Sequence, residues 1–179
     1  MLLERLELPF VTAPPHVDET AQPGEAAAMA AIRLAEAKAR TVATRFPDAL
    51  VIGSDQLADC EGRHVGKPGS HAAAVAQLQA LSGRTVVFHT GIALLDARSG
   101  GCATRLVDVR STFRPLSRDE IEAYLARERP YDCAGSVKAE GLGIALFSAI
   151  ESDDPTALIG LPLIQLTGML RDAGVRVLG

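Results

Sequence analysis

The chain has 179 residues, enough for one domain with a sizeable core. Apolar residues make up 47% and charged residues 22%, the balance of an ordinary globular protein rather than a disordered or membrane-embedded one. A net charge of −4 gives no global attraction to nucleic acid or to an acidic membrane, so a polyanionic ligand must be held by a local cationic pocket.

In chain order, Met1 to Leu8 alternates apolar and charged positions at helical spacing and reads as a helix. Its acids stand where a signal peptide needs a basic start and an apolar centre, which points to the cytoplasm. Pro9 to Ala13 reads as a short strand, followed by the loop Pro14-Pro-His-Val-Asp-Glu19. Ala26 to Arg45 is alanine-rich with regular charges, bracketed by Gly24 and Pro47, and is the longest expected helix. The apolar run from Ala49 predicts a buried strand ending at Gly53-Ser54, and Gln56 to Val65 a hairpin turning at Glu61-Gly62. Ser70 caps a predicted helix that Ser82-Gly83 stops after Leu81. Arg84 to Asp96 and Cys102 to Arg114 predict two antiparallel strands about a turn at 97–101. Ser117-Arg-Asp-Glu120 fits a capping box for a helix to about Arg127, which Pro130 ends. Ile144 to Ile150 reads as a buried strand, Leu161 to Asp172 as an apolar helix stopped by Gly174, and Val175 to Leu178 as a last strand. The expected architecture is a single α/β domain over residues 1–179, with a mixed, curved sheet flanked by helices and two lobes around a central cleft.

Several residues stand out chemically. Asp55 follows the apolar run, and Lys67 follows it by twelve residues, held between glycine and proline. An acid with a lysine returned near it handles a metal, a water and a phosphate, or else it is a polar turn with a solvated lysine. Glu19, just before the long helix, either complements the helix dipole or joins Asp55 on a divalent ion. Lys38 either belongs to the solvated face of its helix or points at a phosphate. Ala134-Gly-Ser-Val-Lys-Ala-Glu140-Gly-Leu-Gly143 surrounds a charged pair with small residues, a bend entering a strand or a ligand loop. The three cysteines, Cys60, Cys102 and Cys133, lie outside any CxxC pattern and predict reduced packing residues; the four histidines lack metal-site spacing.

Together these segments resemble the Maf family of nucleoside triphosphate pyrophosphatases. The likeness runs through Val17-Asp-Glu19, Leu34-Ala-Glu-Ala-Lys38-Ala, Ile52-Gly-Ser-Asp55, Gly66-Lys67-Pro68, Leu81-Ser-Gly-Arg84, Thr90-Gly91, Phe113-Arg114-Pro-Leu-Ser, Ala134-Gly135 and Gly160-Leu-Pro-Leu163. Ser54-Asp55-Gln56, Asp132-Cys-Ala-Gly-Ser136, Lys138-Ala-Glu140-Gly and Glu151-Ser-Asp-Asp-Pro155 resemble the branch acting on 7-methyl-GTP; other branches commonly carry threonine for Gln56 and glutamine for Glu140. The resemblance implies hydrolysis of a nucleoside triphosphate to the monophosphate and pyrophosphate with a divalent metal, Mg²⁺ or Mn²⁺. It implies Asp55 as proton acceptor for the attacking water and, with Glu19, as a metal-side acid. It implies Lys38 and Lys67 as phosphate contacts, Gln56 and Glu140 as positions of substrate choice, and a homodimer.

Family members open with a strand and a Ser-x-Ser-x-x-Arg-Arg loop that feeds the helix beginning here at Leu2; that pattern does not occur in this sequence. The expectation is a natural start upstream of Met1. The leading functional expectation is a pyrophosphatase that clears 7-methyl-GTP. Alternatives are a pyrophosphatase of canonical or pyrimidine triphosphates, and a truncated, catalytically weakened nucleotide-binding or cell-division regulatory protein.

Overall fold

A computed structural model of the chain describes residues 2–20 and 22–179. Four α-helices accompany a five-stranded sheet among these residues: α1 (Ala27–Ala43), β1 (Leu50–Cys60), β2 (Arg63–Val65), α2 (His71–Leu81), β3 (Thr85–Asp96), β4 (Cys102–Phe113), α3 (Arg118–Glu128), β5 (Phe147–Glu151) and α4 (Leu163–Asp172). The sheet order is β2-β1-β3-β4-β5. Ala58 pairs with Val65 and Cys60 with Arg63, antiparallel, about a turn in which Glu61 and Gly62 both take positive φ. No helix among the described residues is long and apolar enough to cross a membrane.

Local signals placed most elements. Ser70 accepts a hydrogen bond from Ala73 N and starts α2. Ser117 and Glu120 form the reciprocal capping box of α3, which ends at Arg129 in the left-handed region before Pro130. Five expectations are corrected. The opening helix is only a 3₁₀ turn, Leu3–Leu6, and its expected first residue, Met1, lies outside the described residues. Residues 9–13 and 175–178 carry no strand. The segment at 144–150 is not a buried strand: Leu142–Leu146 form a 3₁₀ turn, and β5 lies at the sheet edge with Ser148 and Ala149 exposed. Finally, β1 does not stop at Ser54. It runs on to Cys60 because the polar residues after Gly53 find partners within the strand's own surroundings, and Ala58–Cys60 pair with β2.

The chain divides into two compact units. The first comprises residues up to Gln56, His89–Val107 and Asp154–Gly179; the second comprises Leu57–Phe88 and Asp108–Asp153. In the first, Ile92 and Leu94 of β3 pack with Leu163, Leu166, Met169 and Leu170 of α4. A second cluster joins Ala35 and Ala39 of α1 to Val51, Ala93 and Leu95. Alanine makes this layer thin. A Cβ on Gly53 would stand 2.1 Å from the Ala35 carbonyl oxygen, and one on Gly91 2.3 Å from that of Ala31. Ala31, Ala35 and Ala39, one turn apart, therefore lay the helix backbone directly on the sheet. In the second unit α2 and α3 pack on one another and bury Val75, Leu78, Ile121 and Leu125.

Candidate functional site

The close seat of α1 decides where Lys38 goes. Ala39 is buried on Gly53, and the preceding residue, Lys38, leans along the strand toward Asp55. Its ammonium lies 2.5 Å from Asp55 Oδ1 and 2.7 Å from Glu19 Oε1. Lys38 and Asp55 are largely enclosed, at 16% and 13% side-chain exposure, whereas Glu19 is half open at 52%. Burial pulls the Lys38 pKa down, but the hydrogen bonds to Asp55 and Glu19 outweigh it and the net shift is upward. The lysine is thus a fixed cation between two acids. Asp18 is spent locally on the backbone and hydroxyl of Thr20, so Glu19 is the acid of that loop that reaches Lys38.

Asp55 sits mid-strand between two anchored neighbours. Ser54 Oγ reaches the carbonyls of Gly91 and Gly160, at 2.9 and 2.8 Å. Gln56 Nε2 donates to Thr90 Oγ1 and to the carbonyls of Ala157 and Leu158, and buried Thr90 donates to Ala157 O as well. The 155–160 segment that receives these bonds is itself built on Asp154. That fully buried carboxylate takes the amides of Thr156, Ile164 and Gln165, and so caps α4 from a distance. Thr156 Oγ1 donates to Asp154 and accepts from Leu163 N. Ser54, Thr90 and Asp154 entered the sequence reading only as members of the resemblance motifs, with no role of their own, and Thr156 did not enter it. The run Asp153-Asp154-Pro155-Thr156 was the available signal, since an acid before Pro and Thr favours a capping turn.

The second unit holds Lys67 and Glu140 on two loops that are tied to each other. The carbonyl of Gly66 accepts from Gln77 Nε2 at 3.0 Å and from Gly135 N at 3.3 Å, and Gln77 Oε1 accepts from the buried Ser136 hydroxyl at 2.5 Å. Gly69 N donates to Tyr131 O, fixing the far side of the Lys67 turn. Both Lys67 and Glu140 present exposed side chains. Gln77, unremarkable in an alanine-rich helix, joins the two loops.

A cavity of about 1010 Å³ in the first unit lies among Leu8, Phe10, Val42, Ile52 and Leu161. No charged side chain lines it among the described residues, so it lacks what a triphosphate requires. No group of three or more His, Cys, Asp or Glu gathers in metal-site geometry among the described residues, and the cysteines are free. The Glu19–Asp55 pair still suits a hard divalent ion: Mg²⁺ takes one or two carboxylates and fills its shell with water and phosphate oxygens, and both acids already converge on one cation.

Known proteins resemble this chain over nearly its whole length. Residues 1–173 match the family described as Maf-like protein. The chain is 54% identical over 178 residues, 99% of its length and 89% of the other's, to a 7-methyl-GTP pyrophosphatase of Albidiferax ferrireducens. It is 58% identical over 174 residues, covering 97% of itself and 80% of the relative, to a protein of the same name from Polaromonas sp.. A third of that name, from Aromatoleum aromaticum, is 56% identical over 175 residues, covering 98% and 90%. The chain belongs to the Maf-like protein family.

Proposed function

We propose that the chain hydrolyses 7-methyl-GTP to 7-methyl-GMP and pyrophosphate. The observation that carries this reading is the Glu19–Lys38–Asp55 arrangement, in a chain more than half identical to relatives bearing that name. Asp55 accepts the proton of a water attacking the α-phosphorus; Lys38 beside it favours the ionised carboxylate that this role needs. As substrate enters, the Lys38 ammonium turns from the acids to a phosphate oxygen, and Lys67 offsets further negative charge. Glu19 and Asp55 would hold a divalent ion, whose charge would offset that of the triphosphate and of the departing pyrophosphate. Gln56 fixes the strand on one side of Asp55 through the 157–158 carbonyls.

Glu140 reads the base. An ionised carboxylate accepts hydrogen bonds only, and guanine offers two adjacent donors, N1–H and the N2 amino group. N7-methylation adds positive charge to the ring, which a nearby anion favours. Glutamine at this position donates as well as accepts and suits other bases.

The test is pyrophosphate release from 7-methyl-GTP, GTP, UTP and dTTP, with and without Mg²⁺. The expected result is Mg²⁺-dependent release with 7-methyl-GTP preferred. Asp55→Asn lowers kcat by about 10²-fold or more, the scale of a lost general base. Glu140→Gln erodes the preference. Equal turnover of all four nucleotides overturns the substrate assignment, and full activity of Asp55→Asn overturns its role as base.

A further inference from the structure

Glu140 occupies the third position of a tight turn, Lys138–Gly141, closed by Gly141 N donating to Lys138 O at 3.1 Å. Gly143 N donates to the same carbonyl at 3.1 Å, and a Cβ on Gly143 would stand 2.5 Å from it. The turn is therefore compact, but its own bonds do not fix it to the rest of the unit. That attachment comes from α3. Buried Tyr124 inserts its phenol between the residues entering the turn: its hydroxyl accepts from Lys138 N at 3.1 Å and donates to Ser136 O at 3.2 Å. One helical turn later, Glu128 Oε1 accepts from Leu142 N, just beyond the turn, at 3.1 Å. The approach is close enough that a Cβ on Gly141 would stand 2.8 Å from both Glu128 oxygens. Residues four apart share one helix face, so α3 grips both ends of the turn from a single rail.

We infer that Tyr124 and Glu128 are positioning residues for base selection: they hold the turn that presents Glu140, and substrate preference depends on them although neither reads the base. The inference rests on Glu140 being the base-reading residue. The chemistry of each holder is specific. Tyr124 must be a neutral phenol to donate to Ser136 O, and a phenylalanine of the same shape keeps the packing but loses both bonds. Glu128 acts through an acceptor oxygen alone, so a glutamine retains the bond to Leu142 N and an alanine does not.

The experiment compares Tyr124→Phe, Glu128→Ala, Glu128→Gln and Glu140→Gln with the parent chain in two readouts. One is the ratio of kcat/KM for 7-methyl-GTP over GTP; the other is amide hydrogen exchange across residues 137–143, with far-UV circular dichroism as the fold control. Tyr124→Phe and Glu128→Ala are expected to lower the ratio by about tenfold, the worth of one such bond to a charged or buried group. They should also speed exchange at Lys138 and Leu142 by at least about fivefold, while Glu128→Gln stays near the parent. An unchanged ratio in Tyr124→Phe and Glu128→Ala, where Glu140→Gln does lower it, overturns the inference. If Glu140→Gln itself leaves the ratio unchanged, the base-reading assignment falls, and exchange then decides the holding role separately: faster exchange supports it and unchanged exchange overturns it.

Discussion

Lys38 serves two acids at once, and that fixes how the resting site behaves. With 16% and 13% of their side chains exposed, Lys38 and Asp55 form a part-enclosed pair whose partners cannot be swapped for water without loss. Lys38→Met should therefore destabilise the chain by about 2 kcal/mol, the scale of a lost hydrogen bond between charged groups. Because the folded-state pKa of Lys38 is raised, its contribution is fully present below the ordinary value of 10.5 and fades as pH climbs through the higher folded value. The gap in Tm between the parent and Lys38→Met should accordingly be constant from pH 7 to 9 and close above 10.5. A gap that persists unchanged at the alkaline end would assign the loss to packing rather than charge. Legibility differed residue by residue here. Lys38 read as a solvated position or a phosphate contact, and sequence spacing could not distinguish them because the deciding fact is the depth of the neighbouring Ala39 on Gly53. Gln56 was visible only as an identity; its three contacts, all to protein atoms brought from distant segments, depend on the fold and leave no local pattern.

At the scale of elements, α1 and β1 form one device. A Cβ at Gly53 would overlap the Ala35 carbonyl at 2.1 Å and press on Ala39 N at 2.8 Å, and backbone atoms inside a helix cannot swing aside as a side chain does. Gly53→Ala should push α1 off the strand, costing about 1–3 kcal/mol as overpacking does, and carry Lys38 away from Asp55. Thermal melting should show the loss, and activity should fall more than stability alone explains; a variant with parent-like Tm and turnover would mean that the layer yields elsewhere. The elements most readable in the sequence were those with their own end signals, such as α2 at Ser70 and α3 at its Ser117–Glu120 box. Misread elements shared the opposite property. Residues 9–13 and 175–178 have strand-like composition without a strand pairing them, and β1 looked finished at Ser54 because polar residues usually leave a strand. Here Ser54 and Gln56 stay within it because carbonyls of Gly160, Ala157 and Leu158 receive their donors.

For the whole molecule, the arrangement of the chain decides how it must unfold. The polypeptide passes between the two compact units four times, after Gln56, Phe88, Val107 and Asp153. Three of these passages fall inside continuous strands: β1 at 56–57, β3 at 88–89 and β4 at 107–108. Neither unit is a separable length of sequence, and melting one alone would require three continuous strands to pass from ordered to disordered in mid-course. Unfolding should therefore be a single cooperative transition. The protein offers a clean way to check this, since it has no tryptophan and both tyrosines, Tyr124 and Tyr131, lie in the second unit. Tyrosine emission thus follows that unit alone, whereas far-UV circular dichroism follows helices of both, α1 and α4 in the first and α2 and α3 in the second. In urea the two signals should give the same midpoint and the same slope. Midpoints separated by about 0.5 M or more would mean that the units melt independently despite the shared strands, at slopes smaller than a chain of this size gives when it unfolds as a whole.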